Sequence, residues 1–565
     1  MSVMTESVAQ ASPQGAVDSA PADPLETCRA LIALAPGEPE PRYRLYSLLQ
    51  AAGDTDGART ALADAQLLHG IAVMRALGVD VAKLRQDRAY AAMIGRQLYA
   101  NQLMGAASVA LGQAIDSEQP DASIMLSFGL SLQHQGRMEE AVDVFAAASG
   151  LFNSPGVEEF LIYALFHAPN RGRKVADAAR RWALTYAEPL KPQALSFANP
   201  RTADRPLRVG YIGPDFTRCQ VAQFIQPVLE AHDPRAVEVF LYAGGTEREE
   251  GLPPTAQWRS LAALSDDAVA ELIRADRIDI LVDLWGHNAG SRLCVFARRP
   301  APVQIAWINF VQTTGLSTID YVLHADSMDA PGTDALFIEQ VWRMGEIMAP
   351  FRPKPGRPPV APTPALHNGY VTFGCFNHPS KLSAPSIAAW AAILRARPAD
   401  RLVLKYRNFI DPVLQRATLA RFAAHGVAGE RIEFRGDTRG EAYLAEFQQI
   451  DLALDPSPSP GGTTSCDALS NGVPLLTLKG EDFYARIGLP GLLPCGLGEL
   501  VADSWDEYVA KALALTSDAH ALDALRQRIR PAFDASPYCD EVGFTRGLEA
   551  QFRRMFEIWL ASASA

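Results

Sequence analysis

From Leu207 onward, short apolar runs rich in β-branched and aromatic residues alternate with amphipathic helical stretches. The pattern occurs twice, on either side of a proline-rich linker, PFRPKPGRPPVAPTP at 350–364. Strands separated by helices cannot pair as hairpins, so each set implies a parallel sheet with helices on both faces. The first set predicts strands at Leu207–Ile212, Val237–Tyr242, Ile278–Leu284 and Val303–Ile308, with helices near 221–231, 266–275 and 290–298. The second predicts strands at Tyr370–Phe376, Leu402–Tyr406, Ile432–Phe434, Leu452–Leu454 and Leu475–Leu478. Its helices fall near 384–397, 412–424, 440–449, 464–471 and 504–516. Two doubly wound α/β domains, 191–350 and 351–540, would face each other across a cleft at the carboxyl ends of both sheets. A long amphipathic helix within 541–565 is placed to cross back to the first domain.

Ahead of these domains the chain is all-helical. Residues 1–22 are rich in Ala, Ser, Pro and Gln and read as a disordered tail. In 23–190, Ala91, Ile94, Gly95, Leu98, Ala107, Leu111 and Ala114 are matched 34 residues later by Met125, Phe128, Gly129, Leu132, Ala141, Phe145 and Ala148. An earlier unit, Leu45, Leu49, Gly53, Ala58, Leu62 and Ala65, has the same internal spacing but lies 49 residues upstream, so about 15 residues are inserted. This is the signature of a tetratricopeptide-type array, whose stacked helix pairs form a superhelix with a concave groove. Such a groove suits a protein or peptide; a helical spacer that braces the next domain fits the same pattern. The Pro-rich segment 188–206 connects array and first domain.

The stretch with most chemistry is Asp455 to Glu481, DPSPSPGGTTSCDALSNGVPLLTLKGE. A strand ends, a Pro/Ser/Gly loop follows, and Thr463-Thr464-Ser465 start a helix that Asn471-Gly472 stop. A helix start in such a position offers free N–H donors and partial positive charge to phosphates. Gly461 and Gly462 belong to no regular element and are candidate substrate-binding positions, Thr463 and Thr464 add hydroxyls, and Asp467 lies one turn in, suited to a ribose hydroxyl. A plain capped strand–loop–helix connection fits the stretch equally. Neither the P-loop nor the dinucleotide fingerprint is present. Other strand ends carry Asp215, Arg218 and Cys219; Asp283, His287 and Arg292; and His378 with Lys381. Lys381, facing the Thr-Thr helix start, can balance a diphosphate.

Charge and cysteine usage bound the partners. A net charge of −12 argues against general nucleic-acid binding. Seven cysteines are scattered without a CxxC pair, which speaks against a zinc site or disulfide framework. No carboxylate or histidine spacing suits a metal. No apolar run reaches ~18 residues and no signal peptide is read, so the expected location is cytoplasmic, away from membranes.

Arg299-Pro-Ala-Pro-Val-Gln304…Trp307, Cys375-Phe-Asn377…Lys381 and Asp455…Gly-Gly-Thr463-Thr464…Asp467-Ala-Leu…Gly-Val-Pro474 resemble the O-linked N-acetylglucosamine transferases, bacterial members in particular. The resemblance covers about residues 25–560 and includes the array. It implies a GT-B fold, UDP-N-acetylglucosamine as donor, protein Ser/Thr hydroxyls as acceptors held in the repeat groove, inversion at the anomeric carbon, and no metal or other cofactor. It gives Lys381 the diphosphate, Thr463 and Thr464 the phosphate oxygens, Asp467 the ribose, and Tyr443 the uracil face, with His378 near the phosphates. Asp283 and His287 are the protein's candidate bases; the donor's own phosphate is a third. Relatives using GDP-fucose on proteins or glucose on asparagine, and a weakly active UDP-binding scaffold, are the alternatives. The chain departs from the family pattern at three places. Cys219 stands where a histidine is usual, Asn309-Phe-Val-Gln312 where Gly-Tyr-Pro-Gly is usual, and Gly462 where a side chain is usual.

Overall fold

A computed structural model describes residues 23–168, 172–219 and 221–562; the expected tail at 1–22 lies outside the described residues. Ten helices come first: α1 (Pro24–Leu34), α2 (Glu40–Ala51), α3 (Thr55–Ala76), α4 (Val81–Gln86), α5 (Arg88–Ala100), α6 (Met104–Ala114), α7 (Ala122–His134), α8 (Met138–Leu151), α9 (Pro155–His167) and α10 (Gly172–Trp182). Aspartates start several of them. Asp23, Asp54, Asp80, Asp87 and Asp121 each accept a backbone N–H of the first turn of their helix. The repeat is visible in the packing. A Cβ at Gly95 would lie 2.6 Å from Leu111, and one at Gly129 would lie 2.4 Å from Phe145, so the same contact recurs 34 residues later. The inserted residues lengthen α3 to 22 residues and add α4.

The first sheet has seven parallel strands: β1 (Leu207–Gly213), β2 (Val237–Ala243), β3 (Gln257–Ser260), β4 (Ile280–Asp283), β5 (Val303–Ala306), β6 (Tyr321–His324) and β7 (Gln340–Arg343), in the order β3-β2-β1-β4-β5-β6-β7. The second has six: β8 (Thr372–Cys375), β9 (Arg401–Lys405), β10 (Ile432–Arg435), β11 (Leu452–Leu454), β12 (Leu475–Leu478) and β13 (Val501–Ala502), in the order β10-β9-β8-β11-β12-β13. This is the GT-B arrangement of two Rossmann-like sheets behind a helical array. Four strands were not expected from the sequence: β3, β6, β7 and β13. A further helix, Ala519–Asp534, was also unexpected.

Chain ends tie the parts together. The helix Glu541–Ser562 returns from the second domain and buries Leu548, Phe552, Met555 and Phe556 against β1 and its neighbours. At the other end, Trp182 and Ala178 of α10 share one core with Ile212 and Phe240 of the first sheet. The array also docks on the second domain. Gly105 N donates to Asp411 Oδ2 at 2.7 Å, and Tyr43 and Tyr46 pack with Ala417 and Ala420.

Candidate functional site

The loop from β11 into the helix Thr463–Ser470 is held from within. Asp455 accepts from Gly461 N at 2.8 Å, Thr477 Oγ1 at 2.9 Å and Ser465 Oγ at 3.4 Å. A Cβ at Gly461 would fall 2.3 Å from Ser465 Oγ, so only glycine lets the loop close on that carboxylate. At Gly462 the Cβ position is open, with nothing within 4 Å. Lys381 Nζ reaches across from the turn after β8 and donates to Pro460 O at 2.8 Å. Thr464 Oγ1 donates to Asn377 Oδ1 at 3.0 Å. The loops after β8 and β11 are thus joined at the helix start. Burial lowers the Lys381 pKa, and the nearby Asp455 charge opposes the shift. Burial pushes Asp455 up to about 6, with Lys381 and the hydrogen bonds opposing.

Beside this loop a cavity of about 290 Å³ opens, lined among others by Phe376, Lys405, Arg407, Thr438, Tyr443 and Thr464. Asp467 does not line it; it is buried behind Tyr443 and already engaged. Its Oδ2 accepts from Lys354 Nζ at 2.6 Å and Tyr443 OH at 3.0 Å. Its Oδ1 lies 3.5 Å from Gln223 Nε2 of the first domain. Lys354 Nζ also sits 4.6 Å above the Tyr443 ring. A strand-end cavity with one aromatic face, cations and a helix N-terminus suits a nucleoside diphosphate.

The first domain contributes Asp215 and Cys219 after β1 and Asp283 at the end of β4. Glu249 holds the β1 loop by accepting from Thr217 N at 2.9 Å and Thr217 Oγ1 at 2.6 Å. Asp215 accepts from Arg218 N at 3.0 Å. Burial, with the Asp215 charge adding, pushes the Cys219 thiol up to about 12. Asp283 is buried and pushed up to about 6, against donation from Gly286 N at 2.7 Å and Trp285 N at 3.2 Å.

Two candidates lie away from the cleft. His287 is fully buried between Trp182 and Phe310. Its Nε2 donates to Thr314 O at 2.8 Å, and burial lowers its pKa to about 4. A neutral ring inside the core, with a carbonyl fixing its tautomer, is a packing residue, so the expected role as base is corrected. Arg292 likewise turns away, to Asp266 Oδ1 at 2.7 Å and the carbonyl of Leu264 at 3.3 Å. It staples the start of the helix Asp266–Ala275 and does not face a substrate.

A sequence profile of glycosyl transferase family 41 matches residues 150–341 and 363–548. The chain belongs to glycosyl transferase family 41. Among curated relatives, the probable UDP-N-acetylglucosamine–peptide N-acetylglucosaminyltransferase SPINDLY of Hordeum vulgare is 37% identical over 392 residues, 68% of this chain and 41% of that protein. The probable UDP-N-acetylglucosamine–peptide N-acetylglucosaminyltransferase SEC of Arabidopsis thaliana is 28% identical over 366 residues, 62% of this chain and 37% of that protein. The matches thus span about two fifths of these relatives' length. A solved structure of a mutant Thermobaculum terrenum O-GlcNAc transferase is 31% identical and superposes with a TM-score of 0.79, covering 96% of this chain and 100% of that one.

In this family 41 chain the second domain brings together Lys381, His378, Gly461, Gly462, Thr463, Thr464, Asp467 and Tyr443. Sequence reasoning missed two groups from the array. His134 Nδ1 lies 2.7 Å from His378 Nε2, and His167 Nδ1 lies 3.1 Å from Ser459 Oγ. The signal available was a histidine closing each of two helices, α7 and α9, in otherwise apolar repeats.

Proposed function

We propose that this chain transfers N-acetylglucosamine from UDP-N-acetylglucosamine to Ser/Thr hydroxyls of proteins, with inversion and without a metal. The observation that carries the reading is Lys381 Nζ bonded to Pro460 O, in the loop that enters the helix Thr463–Ser470. Departure of UDP leaves negative charge on the β-phosphate. Lys381, the Thr463 and Thr464 hydroxyls and the helix N–H groups are the positive groups available to it. Removing one such donor from a transition state typically costs roughly 3 kcal/mol. Asp467 and Tyr443 are assigned to the ribose and the uracil face, which requires Asp467 to share its Lys354 contact with the ligand. The names of the relatives from Hordeum vulgare and Arabidopsis thaliana support the donor and the peptide acceptor. The acceptor is assigned to the groove of the array, and the location to the cytoplasm.

The test is thermal stability against UDP, UDP-N-acetylglucosamine, UDP-glucose, GDP and GDP-fucose. A ligand at 100 times its Kd stabilises by about 2.7 kcal/mol. The expected result is a rise with the uridine ligands, largest for UDP-N-acetylglucosamine, that disappears in Lys381→Ala. A rise confined to GDP and GDP-fucose would move the chain to fucosyl transfer. A second reading, UDP binding with little turnover, rests on Cys219: a thiol held near 12 cannot take the acceptor's proton at neutral pH.

A further inference from the structure

We infer that His134 and His167 of the helical array are positioning residues for the diphosphate site, each fixing one of the two loops that meet at Lys381. This rests on the reading of that site as the UDP-sugar site.

The two histidines occupy the same place in successive repeats. Each is the last residue of a 13-residue helix, α7 and α9, and they lie 33 residues apart. Each meets a different loop of the second domain. His134 bonds to His378, and His378 caps the short 3-10 turn Pro379–Lys381 that presents the lysine. His167 bonds to Ser459, the neighbour of Pro460, whose carbonyl holds Lys381 Nζ. One contact therefore fixes the backbone of the lysine, and the other the loop that its ammonium grips.

The hydrogen bonds of the first contact have a fixed direction. Ser380 N–H can only donate, and it donates to His378 Nδ1 at 3.0 Å. The His378 proton is then on Nε2 and points at His134 Nδ1, which accepts at 2.7 Å. The His134 proton sits on Nε2, 3.5 Å from Tyr99 OH. Such a chain works only with both rings neutral: a proton added at His134 Nδ1 would meet the His378 Nε2–H, and one added at His378 Nδ1 would meet the Ser380 N–H. Burial keeps both rings neutral, with His134 lowered to about 4 and His378 well below the ordinary histidine value.

Close approach supports the same seating. Gly136, at the turn after α7 with φ of +75°, leaves a hypothetical Cβ only 3.0 Å from Pro379 O. Arg421, whose Nη1 lies 4.0 Å from that same Cβ position, donates through Nη2 to Leu382 O at 2.7 Å. The turn carrying Lys381 is thus held by the array together with the helix Pro412–Ala423 on which the array docks.

The experiment is calorimetric titration of UDP into the full chain, with melting temperatures recorded for every variant. His134→Asn keeps an acceptor where Nδ1 stands. His134→Gln is as polar but places its amide where Nε2 stands. His167→Asn and His167→Gln make the same comparison at the second loop. We expect each Gln variant to bind UDP about tenfold more weakly, the scale of one lost hydrogen bond, and each Asn variant to recover most of that loss. The melting temperatures of the Asn and Gln variants should agree. Wild-type affinity in all four variants overturns the inference and leaves the site reading intact. Equal losses in Asn and Gln variants also overturn it, because packing would then explain the effect. Absence of UDP binding by the wild-type chain overturns the site reading and the inference together.

Discussion

A thiol that titrates near 12 stays protonated at neutral pH, so Cys219 can donate a proton and cannot act as a base. Cys219→His places an imidazole with an ordinary value near 6.5 beside Asp215. Transfer from UDP-N-acetylglucosamine to a peptide mixture should rise by roughly a hundred- to ten-thousandfold, the order of a general acid–base contribution. An unchanged rate with intact UDP binding would favour the scaffold reading. Asp283 supplies a pH signature. Its folded pKa, about 6, lies above its ordinary 3.8, so the folded chain holds that proton more tightly than the unfolded chain. Its contribution to stability is therefore full below pH 4 and is lost as pH rises through 6. Two units bound the loss at about 3 kcal/mol. Asp283→Asn cannot titrate, so its stability relative to wild type should climb between pH 4 and pH 7 in denaturant unfolding. A difference independent of pH would show that burial leaves the Asp283 carboxyl at its unfolded value. The grouping of Lys381 with Thr463, Thr464 and Asp467 was legible because strand, loop and helix start announce themselves within short stretches. His287 was misread because its neighbour Trp182 lies 105 residues earlier, a contact that no local pattern encodes.

At the scale of elements, one junction joins array to second domain. Asp411 bonds Gly105 N at the start of α6 and Val413 N at the start of Pro412–Ala423, so one carboxylate serves two helix starts. A Cβ at Gly105 would lie 2.4 Å from Val413 Cβ, closer than side chains tolerate. Gly105→Ala should therefore destabilise by about 1–3 kcal/mol, the usual range for an overpacked contact. Val413→Ala in the same chain should recover part of it, and a double-mutant cycle by thermal unfolding measures how much. Additive losses would mean that α6 has moved off the helix. The strands that sequence reading missed follow from the same local limits. β3 is Gln-Trp-Arg-Ser, an edge strand without a buried residue, and β13 has two residues. β7 has only two buried residues, Val341 and Trp342, between exposed ends, and the wholly buried β6 is as short. Longer apolar runs, such as Leu207–Gly213 and Val237–Ala243, were read to within a residue. The extra helix Ala519–Asp534 carries Pro531, which reads as a breaker, yet its buried Leu522, Ile529 and Phe533 hold it.

Over the whole molecule, the first sheet takes its two covers from opposite ends of the chain. Ile212 faces a core that includes Ala178 and Trp182 of α10. Val209 and Tyr211, on the other face of β1, share a core with Leu548, Phe552, Met555 and Phe556 of the C-terminal helix. The domain's own helices, Ala222–Ala231 on one face and Asp266–Ala275 on the other, cover only part of the sheet, so its core is completed by the array and the final helix. That arrangement ties the cleft to long-range packing. The helix Glu541–Ser562 leaves the second domain and ends on the first, and Arg352 of the linker pairs with Glu541 at its start and with Glu230 of the first domain. Phe552→Ala tests the coupling. Its ring is fully buried, so truncation should cost about 3–5 kcal/mol. Trp307, stacked near Phe544, and Trp342, bonded through Nε1 to Gln551, report on the same interface. Their fluorescence in urea should show the first domain losing structure at lower denaturant than in the wild-type chain. A loss under ~1 kcal/mol would mean that the helix is a surface appendage and that the first domain keeps its core without it.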